Sequence, residues 1–195
     1  MPANLTGGHA GLEVIVGSMF SGKSEELIRR VKRAMIARRA VQVFKPAIDD
    51  RYHADQIVSH SALSFESLPI LDVNQIHDHL RFDTDVVGID EAQFFSEDLI
   101  KVSEALANRG IRVIVATLDQ DYRGRPFGPV PGLLCVAEYV TKMLAVCVVC
   151  GNPANRSQRI AGGRSLVAVG STDQYEARCR NCFRPEVLGQ ESLDV

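Results

Sequence analysis

Eight residues near the start of the chain, Gly17, Ser18, Met19, Phe20, Ser21, Gly22, Lys23 and Ser24, follow the pattern G-x-x-x-x-G-K-[ST]. In a turn of that composition, backbone N–H groups converge on phosphate oxygens. The lysine reaches the terminal phosphates and the serine hydroxyl meets Mg²⁺. The pattern carries weight only with a strand before it and a helix after it. Residues 12–16 form an apolar run that reads as a buried strand, and from residue 25 to 39 apolar positions return at helical spacing. A chance match in a surface turn fits those flanks poorly. The chemistry implied is the handling of a nucleoside triphosphate.

A second acidic feature complements the first. Val86-Val-Gly-Ile-Asp90-Glu91 is an apolar strand ending in two carboxylates. Asp90 is placed to order Mg²⁺ beside Ser24, and Glu91, pointing the other way, to take a proton from an attacking hydroxyl or to orient a water. Alone, such a pair would only cap a strand and bind solvent. Cys147, Cys150, Cys179 and Cys182 form two C-x-x-C knuckles. Four thiolates fill the tetrahedron of Zn²⁺ and leave no place for water, so the ion would be structural. Redox chemistry at one knuckle is the rival. The fifth thiol, Cys135, lies in an apolar stretch and is expected to be buried.

The segment between the knuckles holds a Gly162-Gly163 turn, the apolar strip Leu166, Val167, Ala168 and Val169, then Gly170 and Tyr175. Tied at its base by metal, it could close over a small substrate and exclude water. Metal removal is then expected to weaken nucleoside binding more than ATP binding.

These groups need a scaffold to bring them together. Strands are expected at about 12–16, 41–45, 86–90 and 111–116, with helices near 23–38, 73–80 and 97–108. Ser96 is the expected N-cap of the last helix, and Gly110 its left-handed terminator. Alternation of this kind predicts an α/β fold, a P-loop-type mostly parallel sheet flanked by helices, with a small zinc-binding lobe. Ligands of such sheets gather beyond the carboxyl ends of the strands, where the phosphate loop, Asp90-Glu91 and Leu118-Asp119-Gln120-Asp121 should meet. Residues 11–146 would form the nucleotide-binding domain and 147–184 the lobe, with mobile tails at 1–10 and 185–195.

The 195 residues carry 22 basic and 24 acidic side chains, a net charge of −2 that gives no general attraction to nucleic acid or anionic lipid. No apolar run approaches membrane-spanning length, and the start lacks the basic-then-apolar order of an export signal, so a cytoplasmic location is expected. The five histidines show no metal-ligand spacing.

In this order and spacing, the motifs resemble those of the type II thymidine kinases, over roughly residues 11–184. They are the phosphate loop, Asp90-Glu-Ala-Gln-Phe-Phe95, the run from Leu118 to Phe127, the four cysteines, and Gly170 with Tyr175 ahead of Cys179. The resemblance implies transfer of the γ-phosphate of ATP to the 5′-hydroxyl of thymidine, with Mg²⁺ and a structural Zn²⁺. It implies Glu91 as catalytic base and Asp90, Glu91, Ala92 and Gln93 as a nucleotide-contacting stretch. Asp49, Asp50 and Arg51 would also touch the donor, with Arg51 spreading charge from the transferring group. Met19, Phe94, Leu118 and Phe127 would form an apolar slot for the base, Tyr175 would hold the nucleoside, and backbone groups of Leu166, Val167, Ala168, Val169 and Gly170 would read the thymine edge.

Three positions depart from the family pattern. Ser171 follows Gly170 in place of a second glycine, Thr117 stands where many relatives have glycine, and Ser157 where a threonine often lies near the thymine methyl. The family also implies a homotetramer inhibited by thymidine triphosphate. Two other readings stay open on sequence: a nucleic-acid-stimulated ATPase, since D-E after a strand occurs in motors, and a zinc-ribbon binding module with a vestigial phosphate loop.

Overall fold

A computed structural model describes residues 10–47, 56–58, 64–161 and 174–185. The chain opens with β1 (Gly11–Gly17), α1 (Lys23–Ile36) and β2 (Val41–Pro46), followed by the short strands β3 (Gln56–Val58), β4 (Ser64–Glu66) and β5 (Leu68–Ile70). Next come α2 (Gln75–His79), β6 (Val86–Ile89), a 3₁₀ turn at Ala92–Phe94, α3 (Asp98–Asn108) and β7 (Arg112–Thr117). α4 (Val130–Val136), β8 (Tyr139–Met143), β9 (Ala145–Val146), β10 (Pro153–Ala154), β11 (Arg156–Arg159) and β12 (Tyr175–Arg178) complete it.

Six strands form one sheet in the order β5-β2-β6-β7-β1-β8, and every neighbouring pair is parallel. Such a sheet must be covered on both faces, and alternation along the strands supplies two apolar surfaces. Val14, Val16, Val87, Ile89, Val113 and Val115 point to the face packed by α3 and α4 through Leu99, Val102, Leu106 and Leu133. Ile15, Ile114 and Ala116 point the other way, against Leu27, Ile28, Val31 and Ala34 of α1.

The helix ends explain where the chain turns. Gly110 (φ 87°) closes α3 with Gly110 N–H bonded to Ala107 O and Ile111 N–H to Leu106 O, the paired bonds of a left-handed stop. At the other end Glu97, not Ser96, holds the cap position, and it makes no side-chain cap bond. α1 stops at Ile36, short of the expected residue 38, because Arg38 turns left-handed at φ 59°. Cys135 corrects another expectation: it is exposed on α4.

On the solvent side of α1, Glu26 accepts hydrogen bonds from Arg29 at 2.6 Å and Arg30 at 2.8 Å. The Arg29 bond is the main force holding its carboxyl down to about 2, against some opposing burial. A folded value below the free value of 4.5 means stabilisation that is full above pH 4.5 and lost as pH falls towards 2. Glu26→Gln should therefore cost less than about 1 kcal/mol at pH 7. Urea unfolding at pH 7 and pH 3 should show the gap to wild type closing at the lower pH.

Candidate active site

The phosphate loop leaves β1 and enters α1 through backbone conformations that few residues tolerate. A Cβ on Gly17 would lie 2.4 Å from Met143 O on the neighbouring strand β8, so only glycine fits there. Gly22 sits at φ 84° immediately before α1, and no side chain caps that helix end. The first-turn N–H groups of a fourteen-residue helix thus face the loop, the arrangement that binds anions. Lys23 and Ser21 both turn inward, donating to Ser18 O at 2.9 and 2.8 Å.

Asp90 follows the last residue of β6 and is buried. Its carboxylate accepts from Glu91 N–H at 3.0 Å and from the Ser24 hydroxyl. Burial, and then the adjacent Glu91 charge, push Asp90 up to about 7, while Ser24 and Lys23 pull the other way. Two neighbouring carboxylates in a low-dielectric pocket call for a cation, and the oxygen donors Asp90 and Ser24 suit a hard one. Because Lys23 and Glu91 both act electrostatically on Asp90, loop and acid pair share one locality.

Glu91 occupies left-handed backbone at φ 49°, ψ 38°. Residues other than glycine hold that conformation at a cost of about 1–3 kcal/mol, chiefly where function fixes a side chain. A relay fixes this one. Gln93 Nε2 donates to Glu91 Oε2 at 2.5 Å, and Gln93 Oε1 accepts from the Thr117 hydroxyl and Leu118 N–H, both at 3.0 Å. Gln93, which the resemblance places in the nucleotide-contacting stretch, is buried and donates its amide to the Glu91 carboxylate. Thr117, the departure from glycine, donates to that relay.

Met19, Phe94, Leu118 and Phe127 are half-buried, and none is sealed in the core. Phe94 and Phe127 meet edge to face with ring centroids 5.8 Å apart. Asp119 pairs with Lys142 of β8 at 2.7 Å, and Asp121 holds its own turn by accepting from Arg123 and Arg125 N–H. Tyr175 is buried, its hydroxyl accepting from Arg159 Nε at 3.1 Å and Nη2 at 2.5 Å. The Arg159 guanidinium lies 3.8 Å from the centre of the Tyr122 ring. Neither Arg159 nor Tyr122 was singled out from the sequence. Asp49, Asp50, Arg51, Gly162, Gly163, Leu166, Val167, Ala168, Val169, Gly170 and Ser171 lie outside the described residues.

The four cysteine sulfurs lie within 4.8 Å of one another, Cys150 Sγ and Cys179 Sγ at 3.6 Å. Tetrahedral thiolate ligation at 2.3 Å requires sulfurs about 3.8 Å apart, so the set fits such an ion. Burial opposes charge on Cys147, yet backbone bonds around Cys179, Val149 and Cys150 bring its thiol down to about 6. Cys182 is pushed up to about 12 by its contacts with the Cys150 and Cys179 sulfurs. The sulfurs compete for negative charge, a conflict that a bound cation relieves. The cluster sits beside the phosphate loop for a topological reason: β8 lies next to β1 in parallel, and β9 continues from it directly to Cys147.

A family model described as thymidine kinase matches residues 10–183. A thymidine kinase of Bdellovibrio bacteriovorus is 57% identical over 176 residues, covering 90% of this chain and 86% of that protein. Among the described residues, no helix is long and apolar enough to cross a membrane.

Proposed function

The chain belongs to the thymidine kinase family, and from that premise we propose how its residues phosphorylate thymidine. The donor is ATP, gripped by the loop from Gly17 to Ser24, with Lys23 on the terminal phosphates and α1 presenting its N–H groups. Ser24 and Asp90 would hold Mg²⁺, whose chemistry here would be to offset the negative charge of the phosphates. Asp49, Asp50, Ala92 and Gln93 border the donor nucleotide, and Arg51 spreads charge from the transferring group. Cys147, Cys150, Cys179 and Cys182 would hold Zn²⁺, which would serve as a structural ion.

Thymine enters the slot of Met19, Phe94, Leu118 and Phe127. Tyr175, oriented by Arg159, holds the nucleoside, and backbone groups of Leu166 to Gly170 read the base edge. Glu91 accepts the 5′-hydroxyl proton as that oxygen bonds to the γ-phosphorus. The bond from that phosphorus to the β–γ bridging oxygen breaks, and ADP leaves with the electron pair. The observation that carries this assignment is the Gln93–Thr117 relay, which keeps a strained Glu91 aimed beside the phosphate loop.

A homotetramer, inhibition by thymidine triphosphate and a cytoplasmic location complete the proposal. They rest on the family. Nucleic acid is not expected as a partner, given the slight net acidity.

One assay tests the whole reading: purified protein with ATP, Mg²⁺ and a panel of nucleosides, scored for monophosphate. Thymidine should be the preferred acceptor. ATP hydrolysis raised many-fold by DNA or RNA, with no nucleoside product, would instead favour the motor reading.

A further inference from the structure

Three consecutive residues of the phosphate loop lean on the four-cysteine lobe. Ser18 Oγ donates to Ala154 O at 3.4 Å, and Met19 N–H donates to the Ser157 hydroxyl at 3.0 Å. Phe20 packs against the lobe's own apolar cluster of Ala145, Cys147, Ala154, Ala177 and Cys179, which Cys182 also borders. Two of the four candidate metal ligands, Cys147 and Cys179, therefore stand in the cluster that receives this ring, and a third, Cys182, borders it. Phe20 holds left-handed backbone at φ 64°, which for a bulky residue is a genuine outlier. Such a conformation persists only where surrounding contacts over-determine it. Here the lobe supplies such contacts, from residues 145 to 182 far along the chain.

We infer that Phe20 is a positioning residue, coupling metal occupancy of the four-cysteine lobe to the grip of the phosphate loop on its nucleotide. The inference rests on the loop being the ATP site. Thiolates gathered on one ion fix the wall against which the ring is set. That wall holds the strained turn, and the turn aims the N–H groups that follow it. The sequence suggested that metal loss weakens nucleoside binding more than ATP binding. The packing of Phe20 predicts that ATP binding falls at least as far.

Coupling free energies are reciprocal, so a nucleotide in the loop must also tighten the metal. The test measures equilibrium metal transfer from purified zinc-loaded protein to a zinc-selective chromogenic chelator. Runs with and without an ATP analogue whose β–γ bridge resists cleavage, always with excess Mg²⁺, compare wild type, Phe20→Ala and Phe20→Leu. In wild type, the analogue should leave less zinc on the chelator at equilibrium, equivalent to a zinc affinity raised about five-fold or more, within the usual range of such couplings. Phe20→Ala should lose most of that protection and raise KM for ATP more than KM for thymidine. Phe20→Leu, which keeps apolar volume in the pocket, should recover part of both and serves if the alanine variant fails to fold.

Equal protection in wild type and in the variants overturns the coupling. So does a wild-type protein that binds the analogue with no change in metal transfer. A wild-type protein that does not bind the analogue at all removes the ATP-site reading, and the coupling falls with it.

Discussion

Glu91→Gln should lower the single-turnover rate of thymidine phosphorylation by about 10²–10⁴-fold, the usual contribution of a positioned general base. Affinities for ATP and thymidine should stay near wild type. The substitution keeps size and shape while removing the capacity to take a proton. It also keeps the local geometry, because an amide oxygen at this position can still accept from Gln93 Nε2 as the carboxylate does. The left-handed backbone of Glu91 is as demanding for glutamine as for glutamate, so the strain is unchanged. Rapid-quench measurement with saturating substrates isolates the chemical step from product release. An unchanged rate would remove Glu91 from the chemistry and leave its strained conformation without a purpose.

The contrast between Glu91 and its surroundings shows what the sequence could carry. β1, β2, β6, β7, α1 and α3 were legible because buried parallel strands are apolar runs and surface helices repeat every 3.6 residues. β5 escaped notice, being three residues with Pro69 at its centre, tolerated because β5 lies at the sheet edge. α4 begins Val-Pro-Gly and reads as a turn. Gly132 is nevertheless suited to that helix, since a Cβ there would lie 2.3 Å from Ile100 Cδ1 on α3. β8 is a half-exposed edge strand whose lysine and threonine dilute its pattern.

The site divides in the same way. Fixed spacings exposed the phosphate loop, the acid pair and the cysteines, because their chemistry demands particular residues a few positions apart. Nothing local marks Ser157 as the acceptor for Met19 N–H, Arg159 as the support of Tyr175, or Phe20 as a guest of the lobe. Those pairings arise only when β8 delivers the lobe beside β1. Nor does any sequence signal disclose that Glu91 sits at positive φ, since glutamate is an ordinary residue in an extraordinary backbone.

Lys23→Ala should lower kcat/KM for ATP by about 10²–10³-fold, comparable to the loss of one preorganised donor to a developing charge. The ammonium lies 2.9 Å from Ser18 O and acts on Asp90, so it is the loop's own counter-charge to the acid pair. Without it, a triphosphate would approach Asp90 and Glu91 with one positive charge fewer to offset three sources of negative charge. Stability should change little, by about 1 kcal/mol for the hydrogen bond to Ser18. Thermal unfolding can therefore separate lost chemistry from lost structure. Thymidine affinity should survive, since the slot proposed for the base, Met19, Phe94, Leu118 and Phe127, does not include the lysine. A zinc-ribbon module with a vestigial loop makes the opposite forecast, in which Lys23→Ala leaves function untouched. Steady-state turnover against ATP concentration decides between them, because only an enzyme that moves phosphate has use for a buried cation aimed into that turn.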